Sequence, residues 1–406
     1  MRAIKYRELK QLHESLGAKK FTRHLSDSLK SGELKAEDFS IRELAEAEFG
    51  HEFIGLCNPR NGPGKGLARI IEGDGVDSTA FSNITGQIVF SKILEAFQNA
   101  TLAITPLVEN IPTNIRGEEK FPGLSRTGDV SQEVHEGMPY PRAGFGEDYT
   151  AVPPVKKYGH IVPITKEAIF DDKTGLILRM ASEVGEWLGV TKEKLIADMV
   201  AGCATTFATG GKWKWKGSEY DVYNSTTVDF ASYWYINAFT DVLTDWTDID
   251  AAFLLFSEMR DPYTREPINL NPTLTLLTPP ALTATVTRFK SATEVRVGTG
   301  SGTVPMTISP NPVRSFDHVE SMYLYRRLID TATAADAAAA AKYWFLGDFR
   351  KAFAWREAWA ITPSQAPVNS QDEFDRDIVA QYKASMCGGP AVLKPHYVIR
   401  STGAGS

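Results

Sequence analysis

The stretch YTAVPPVKKYGHIVPITKEAIFDD, residues 149–172, joins the end of a long extended segment to the start of a long helix. In that segment, from about 115 to 162, Pro and Gly recur among charged residues, and no apolar stripe repeats at helical spacing. The segment is far longer than an ordinary connection of about 4–6 residues. Its ends, 149–152 and 158–162, have the character of β-strands. The sequence therefore predicts an extended β-arm that is too poor in apolar residues to fold onto itself and that lies on another copy of the chain.

A long helix follows this arm. Apolar residues between Ile177 and Val200 keep mostly helical spacing, which predicts a helix over about 174–201. Asp171 and Asp172 stand just before it, where carboxylates stabilise the positive end of a helix dipole. Paired catalytic carboxylates are the alternative interpretation, and we favour the electrostatic one.

A strict alternation marks residues 210–223, GGKWKWKGSEYDVY, around Gly217 and Ser218. This pattern is typical of a β-hairpin. Trp213 and Trp215 between lysines would suit stacking on single-stranded nucleic acid. We favour a hairpin whose aromatic face lies on a neighbouring surface and whose lysine face is solvated.

From residue 233 onward the pattern is that of an α/β unit. A helix is predicted over about 248–260, with Asp248 or Asp250 as its N-cap. The predicted strands of this part are 273–278, 343–346, 351–361, 375–386 and 391–399.

The composition is that of a soluble globular chain. Its 406 residues are 43% hydrophobic and 23% charged, with a formal net charge of −6. That charge argues against tight, sequence-independent binding to nucleic acid through a basic surface. Three cysteines, Cys57, Cys203 and Cys387, have no paired spacing, which indicates free thiols in a reducing compartment. The sequence shows neither a signal peptide nor an apolar run of membrane-spanning length, so we expect a cytosol-like environment and no membrane.

No catalytic, cofactor-binding or metal-binding residue is predicted. The histidines share no metal-ligand spacing, and they stand at His13, His24, His51, His135, His160, His318 and His396. The stretch GPGKG at 62–66 is only faintly similar to a phosphate loop, because the Ser or Thr that should follow its lysine is missing. No Gly-x-Ser-x-Gly elbow supports a hydrolase.

Four stretches, in chain order, resemble the major capsid proteins of tailed bacteriophages, which share the Hong Kong 97-type fold. Residues 162–172 resemble the junction between that family's E-loop and its spine helix. The other three are DAAFLLFSEMRDP at 250–262 with PPAL at 279–282, which resembles the axial domain, WFLGDFRKAFA at 344–354, which resembles the peripheral domain, and the final strands within 374–399. The likeness covers roughly residues 80–400 and implies an α+β fold.

The resemblance also implies a domain plan. Its parts are an N-terminal arm at 1–75, a helix and strand leading into the E-loop at 76–114, the E-loop at 115–162, a peripheral domain at 163–232 and 342–388 that holds the spine helix and the inserted hairpin 210–223, and an axial α/β domain at 233–341 and 389–400. The N-terminal arm suits either a retained clasp on neighbouring subunits or a scaffold-like piece, and we favour the clasp.

By the same resemblance, the protein is a major capsid protein that self-assembles into hexamers and pentamers of an icosahedral shell around double-stranded DNA. It would enclose that DNA without sequence-specific binding, meet a portal protein and a scaffold or decoration protein, and reside in the virion after assembly in the bacterial host cytoplasm. The alternative with the same fold is an encapsulin compartment that encloses cargo enzymes. The charged N-terminal segment and the Lys-Trp hairpin favour the phage shell, and no constellation of residues supports a cytosolic enzyme.

Some members of that family join a Lys of the E-loop to an Asn of a neighbour, with a Glu promoting the reaction. Lys120 is the candidate lysine. In the late strand, however, the Asn position falls on Asp377 and the Glu position on Ala384. An ionised carboxylate repels a nucleophile, and alanine accepts no proton. We therefore expect a shell without these cross-links, although a shift of register would bring Asn369 to the Asn position.

Overall fold

The structure, a computed structural model, describes residues 11, 15, 24, 27–28, 92–93, 95–97, 102–127, 134–135, 144–165, 176–203, 211–225, 235–260, 267, 274–297, 307–311, 316–366 and 378–404. The predicted N-terminal arm 1–75 therefore lies outside the described residues, apart from five helical positions. The expectations for Cys57, for 62–66, for Asp171 and Asp172, and for Asn369 and Asp377 lie outside them as well.

The described part of the chain contains both strands and helices. The strands are β1 Glu109–Pro112, β2 Glu119–Thr127, β3 Gly144–Val152, β4 Lys156–Thr165, β5 Lys212–Trp215, β6 Ser218–Asp221, β7 Ala238–Phe239, β8 Thr275–Thr278, β9 Glu294–Val297, β10 Thr307–Pro310, β11 Asp317–Glu320, β12 Trp344–Gly347, β13 Phe353–Gln365, β14 Ile378–Val392 and β15 Val398–Ser401. The helices are α1 Leu176–Ala201, α2 Trp246–Glu258, α3 Thr283–Ser291, α4 Met322–Asp330, α5 Ala337–Ala340 and α6 Phe349–Ala352.

The chain divides into two compact units. The larger one comprises 102–156, 191–358 and 388–406, and the smaller one 1–101, 157–190 and 359–387. In the smaller unit, Gly185 of α1 lies directly against the helical residues near Ile93, since a Cβ at position 185 would come 2.3 Å from the Ile93 carbonyl oxygen. In the same unit Gly159 of β4 lies against Ala384 of β14. Both glycines permit a close backbone approach.

The predicted long helix is confirmed. It was expected over about 174–201, and α1 runs over Leu176–Ala201. In the part of α1 that belongs to the larger unit, Ile196, Met199 and Val200 are completely buried. The apolar spacing therefore identified the face that packs on the core.

A five-stranded mixed sheet forms the centre of the larger unit, with strand order β11-β8-β12-β15-β7. Strand β12 runs antiparallel to both of its neighbours, whereas β11 is parallel to β8 and β7 is parallel to β15. Leu276, Leu277, Phe345 and Ile399 are fully buried in it. Alternation of apolar strands with helices correctly indicated an α/β unit here.

The predicted cap of the 248–260 helix is wrong. Helix α2 starts earlier, at Trp246, and its N-cap is Asp245. The Asp245 carboxylate accepts a hydrogen bond from the Thr247 N–H, and the Asp248 carboxylate accepts one from the Asp245 N–H at 3.0 Å. Because Asp248 occupies the third position of this capping box, it cannot itself be the cap.

The predicted break between strands 375–386 and 391–399 is also wrong. Strand β14 continues from Ile378 to Val392 through Gly388, Gly389 and Pro390. A Cβ at position 388 would lie 2.5 Å from the Trp355 ring, so the glycine makes room for a large side chain of β13. This glycine marks a close approach inside a strand and not the turn that its sequence suggests.

Candidate assembly arm

The segment predicted as an extended arm is a β-hairpin. Strands β2 and β3 pair antiparallel in continuous register from Glu119 opposite Val152 to Thr127 opposite Gly144. Nine residues in each strand give a ribbon about 30 Å long. The predicted β-structure of 149–152 and 158–162 is thereby confirmed in β3 and β4.

The base of this hairpin, in contrast to the expectation, packs on its own chain. Ala151 and Val152 of β3 are almost fully buried. Val152 forms a small apolar cluster with Ala354 and Ala391, against which Phe121 also packs. Sequence spacing did not show this, because the apolar residues of the arm are concentrated at its ends.

A single buried arginine connects both legs of the hairpin to strand β13. Arg356 has no exposed surface. Its Nη2 donates to the Glu119 carboxylate at 2.7 Å and to the Ile115 carbonyl oxygen at 3.0 Å, and its Nη1 donates to the Pro153 carbonyl oxygen at 2.6 Å. The hydroxyl of Thr113 accepts a further hydrogen bond from Nη2. The guanidinium thus binds groups that precede β2 and groups that follow β3.

The electrostatics of this arginine follow from its burial. Desolvation lowers the pKa of Arg356, and the neighbouring Glu119 carboxylate opposes that shift. An arginine nevertheless keeps its proton in a protein, because its ordinary pKa lies so far above neutrality. Removing one partner of such a buried ion pair leaves an uncompensated charge, which makes the pair sensitive to substitution.

The predicted Lys-Trp hairpin is confirmed, with its turn one residue earlier than expected. Strands β5 and β6 pair around Lys216 and Gly217, which have φ of 49° and 86°. Positive φ at both central residues is what a tight two-residue hairpin turn requires. Glycine adopts it freely, and this explains why Gly217 stands there.

This hairpin extends the sheet of the arm to the order β2-β3-β5-β6. Thr150 and Ala151 of β3 pair with Trp215 and Lys214 of β5, and the Lys216 N–H donates to the Tyr149 carbonyl oxygen at 3.1 Å. The two hairpins therefore share one continuous hydrogen-bonded sheet at the arm's base.

The aromatic face of the Lys-Trp hairpin packs inside its own subunit and not on a neighbouring surface. Trp213 is 2% exposed, and its ring centroid lies 5.9 Å from that of Trp215 and 6.1 Å from that of Tyr235. A buried ring cannot stack on a nucleic-acid base. Lys214 pairs with Glu118 at 3.0 Å, and Lys212 pairs with Asp221. The structure therefore gives no support to the nucleic-acid interpretation.

A buried glutamate anchors the chain just before the arm. Glu193 on α1 has no exposed surface, and its carboxylate accepts hydrogen bonds from the backbone N–H groups of Ala103, Ile104 and Thr105 at 2.7–3.0 Å. These donors open a 3-10 turn at Thr105–Leu107 that leads into β1. The sequence signal was present, since Glu193 interrupts the otherwise apolar buried face of this helix.

The remaining candidate residues that the structure describes form no reactive cluster. Among the described residues, no group of three His, Cys, Asp or Glu side chains is placed to hold a metal ion. His396 is buried, and desolvation lowers its pKa to about 3. The Nε2 atom of His318 is hydrogen-bonded to the Thr278 hydroxyl at 2.8 Å. Cys203 and Cys387 are free thiols.

Within the part of the chain that the structure describes, no helix combines the length and apolar character that a bilayer crossing requires.

The residues considered for cross-linking lie on different elements. Lys120 is exposed on β2, and its Nζ lies 4.7 Å from the centre of the Tyr149 ring. Ala384 is fully buried in β14. The cross-linking expectation itself is not tested by these positions and stays a prediction.

The chain is similar to several solved structures of phages and virus-like particles. The capsid of cyanophage P-SCSP1u is 14% identical, with 73% of this chain and 86% of that chain covered and a TM-score of 0.44. The Mycobacterium phage Ogopogo structure is 15% identical, with 74% and 91% covered and a TM-score of 0.43. A virus-like particle from Pyrococcus furiosus is 10% identical, with 77% and 97% covered and a TM-score of 0.39. No curated protein sequence matches the chain.

The family model described as "Phage capsid protein" matches residues 148–401, which is more than half of the chain. The match includes the end of the arm, the long helix and the five-stranded sheet. It confirms the α+β, Hong Kong 97-type fold that the sequence predicted, and nothing in it favours a compartment for cargo enzymes. The chain therefore belongs to the phage capsid protein family and is a major capsid shell protein of the virion.

Proposed function

We propose that this shell protein assembles through hexamers and pentamers into a closed icosahedral shell, in which the arm 115–162 of each subunit lies across the adjacent subunit. The observation that carries the proposal is the part of the hairpin in which, among the described strands, β2 and β3 pair only with each other. Beyond Tyr149, β2 and β3 pair with each other, and no other described strand pairs with them there. A two-stranded ribbon is marginally stable by itself in water, so it needs a surface to lie on.

The arrangement suits a shell because its contacts are head-to-tail. An arm that reaches onto a different surface of the next subunit makes a heterologous contact, and heterologous contacts that close by rotation produce rings. Each contact need not be strong. A subunit held by several neighbours at once gains avidity, since every further contact forms at high effective concentration.

The domain plan of the sequence is retained as part of the proposal, with one boundary moved. Strand β12 was placed in the peripheral domain 342–388, yet it pairs with β8 and β15. We therefore assign Trp344–Gly347 to the axial domain, with 233–341 and 389–400, and begin the second peripheral segment after it. The assignments of 1–75, 76–114 and 163–232 are unchanged.

The partners follow from the proposed role. The shell would enclose double-stranded DNA without sequence-specific binding, in keeping with a net charge of −6, and would act without catalytic activity or cofactor. A portal protein and a scaffold or decoration protein would complete the particle. Assembly would take place in the bacterial host cytoplasm.

Shortening the arm tests the proposal. Residues 123–148 would be replaced by a two-residue turn, which leaves Glu119, Arg356 and the pairing of Thr150 with β5 in place. We expect a folded subunit with an unchanged unfolding temperature that forms no closed shells in electron micrographs, because only the two-stranded ribbon is lost. Normal shells from this variant would refute the role of the arm.

Absorbance ratios and mass spectrometry of wild-type shells would identify the enclosed material as nucleic acid or protein.

A further inference from the structure

The base of the arm is tied to its own subunit from both sides. We propose that Arg356 is a positioning residue that, together with the β5–β6 hairpin, sets the direction of the arm in the free subunit, before any neighbour is met. The inference rests on the proposed function, in which the arm lies across an adjacent subunit. It adds that the direction of the arm is already fixed before the arm contacts that neighbour.

Arg356 provides the first tie. Its guanidinium reaches Ile115 and Glu119 on the leg that leads into the arm and Pro153 on the leg that leaves it. A guanidinium is a planar, rigid fork, so its acceptors are fixed in direction as well as in distance. Because Arg356 is fully buried on β13, the two legs take their orientation from that strand.

The β5–β6 hairpin provides the second tie. On the β3 leg, Thr150 and Ala151 are hydrogen-bonded to β5. On the β2 side, the Lys214 ammonium binds the Glu118 carboxylate at 3.0 Å. The hairpin is itself held in the core by Trp213, so it connects the arm to the body of the larger unit.

Both ties lie at the base of the arm. The β5–β6 hairpin reaches farther along it, to Tyr149, whose carbonyl oxygen accepts a hydrogen bond from the Lys216 N–H and whose partner on β2 is Pro122. From there to Thr127 and Gly144 the four-stranded sheet becomes a two-stranded ribbon. A ribbon fixed at its base points in one direction, and this lowers the entropy that docking onto a neighbour must otherwise remove.

The prediction concerns assembly separately from folding. In Arg356→Lys the charge is retained, but a point-like ammonium cannot reach acceptors on both legs in the fixed geometry of the fork. We expect assembly at least about tenfold slower by light scattering, which corresponds to the loss of one charged hydrogen bond. Hydrogen exchange of the amides at 119–121 and 149–152 in the unassembled subunit should become faster.

Arg327→Lys is the matched control. Arg327 also forms a two-pronged ion pair, with Asp198 at 2.6 and 2.7 Å, and it lies in the same unit, on helix α4. Urea unfolding of both variants allows assembly rates to be compared at equal stability. The inference holds if Arg356→Lys assembles more slowly than the control at equal stability, and it is overturned if the two rates agree.

Lys214→Glu keeps the test decisive should the Arg356 variant fail to fold. The Lys214–Glu118 pair is half-exposed, with 25% and 40% of the side-chain surfaces accessible. Reversing the charge at position 214 therefore leaves the core intact. Slower assembly with faster exchange at 119–121 would support the inference, and a normal rate would contradict it.

The shortened arm separates the two proposals. If that variant builds normal shells, the proposed function fails. If it builds no shells while both point variants assemble normally, only the inference about the direction of the arm fails.

Discussion

At the scale of single residues, the larger unit depends on polar side chains that are buried and hydrogen-bonded to distant parts of the chain. Arg356 and Glu193 have no exposed surface, and each binds several groups of distant chain segments. Burying such groups is costly unless they are hydrogen-bonded. Each therefore specifies one arrangement of the backbone around it, which apolar packing alone would leave less defined.

His396 should make the stability of the subunit depend on pH. Burial lowers its pKa to about 3, whereas an unfolded histidine has an ordinary pKa near 6.5. Below about pH 6.5 the unfolded chain therefore binds a proton that the folded chain does not. The free energy of unfolding should fall by about 1.4 kcal/mol for each pH unit lost between about 6.5 and 3.

Urea unfolding of the unassembled subunit at a series of pH values would measure this dependence. His396→Gln should show a shallower dependence than the wild type. His318, whose pKa is also lowered by burial, is present in both proteins and cancels in the comparison. Equal slopes for the two proteins would contradict the assignment to His396.

At the scale of elements, the long strand β14 depends on one of two adjacent glycines. A Cβ on Gly388 would lie 2.5 Å from the Trp355 ring and 2.7 Å from the Arg356 carbonyl oxygen. On Gly389 the nearest atom would be the Cα of Val155 at 3.5 Å, an ordinary contact. The two positions are chemically identical in sequence and differ only in what faces them.

Gly388→Ala should therefore destabilise the subunit by about 1–3 kcal/mol, because the added methyl group forces β13 or β14 to shift. Gly389→Ala serves as the neighbouring control and should leave the free energy of unfolding nearly unchanged. Thermal or urea unfolding of both variants would measure the difference. Equal effects would show that β13 does not approach β14 at position 388.

At the scale of the whole molecule, the shell is predicted to be held together without Lys–Asn cross-links. Ala384, at the position of the promoting glutamate, is fully buried and has no group that accepts a proton. Lys120 is exposed on β2 beside the Tyr149 ring. The arm and the non-covalent contacts between subunits would then carry the particle's stability.

Boiling purified particles in detergent with reductant tests this directly. We expect a single band near 44.8 kDa, the mass of one chain. A ladder of multimers, together with a Lys–Asn isopeptide found by mass spectrometry, would show that another asparagine, such as Asn369, takes part.

The sequence by itself determined the elements whose pattern is local. The long helix, the two hairpins and the α/β alternation follow from apolar periodicity and turn residues within a few positions of one another, and the structure confirms them. The resemblance to phage capsid proteins, based on the order of these elements, was confirmed as well.

Only the tertiary structure decided how these elements are held together. Arg356 and Glu119 are 237 residues apart, and Glu193 lies 88 residues from the hydroxyl of Thr105 that it binds. No local pattern predicts such pairs, because which segments meet depends on packing of the whole core. The same reason explains the continuous strand through Gly388, whose role is set by Trp355 on another strand. The direction of the arm therefore belongs to the folded subunit and not to any stretch of its sequence.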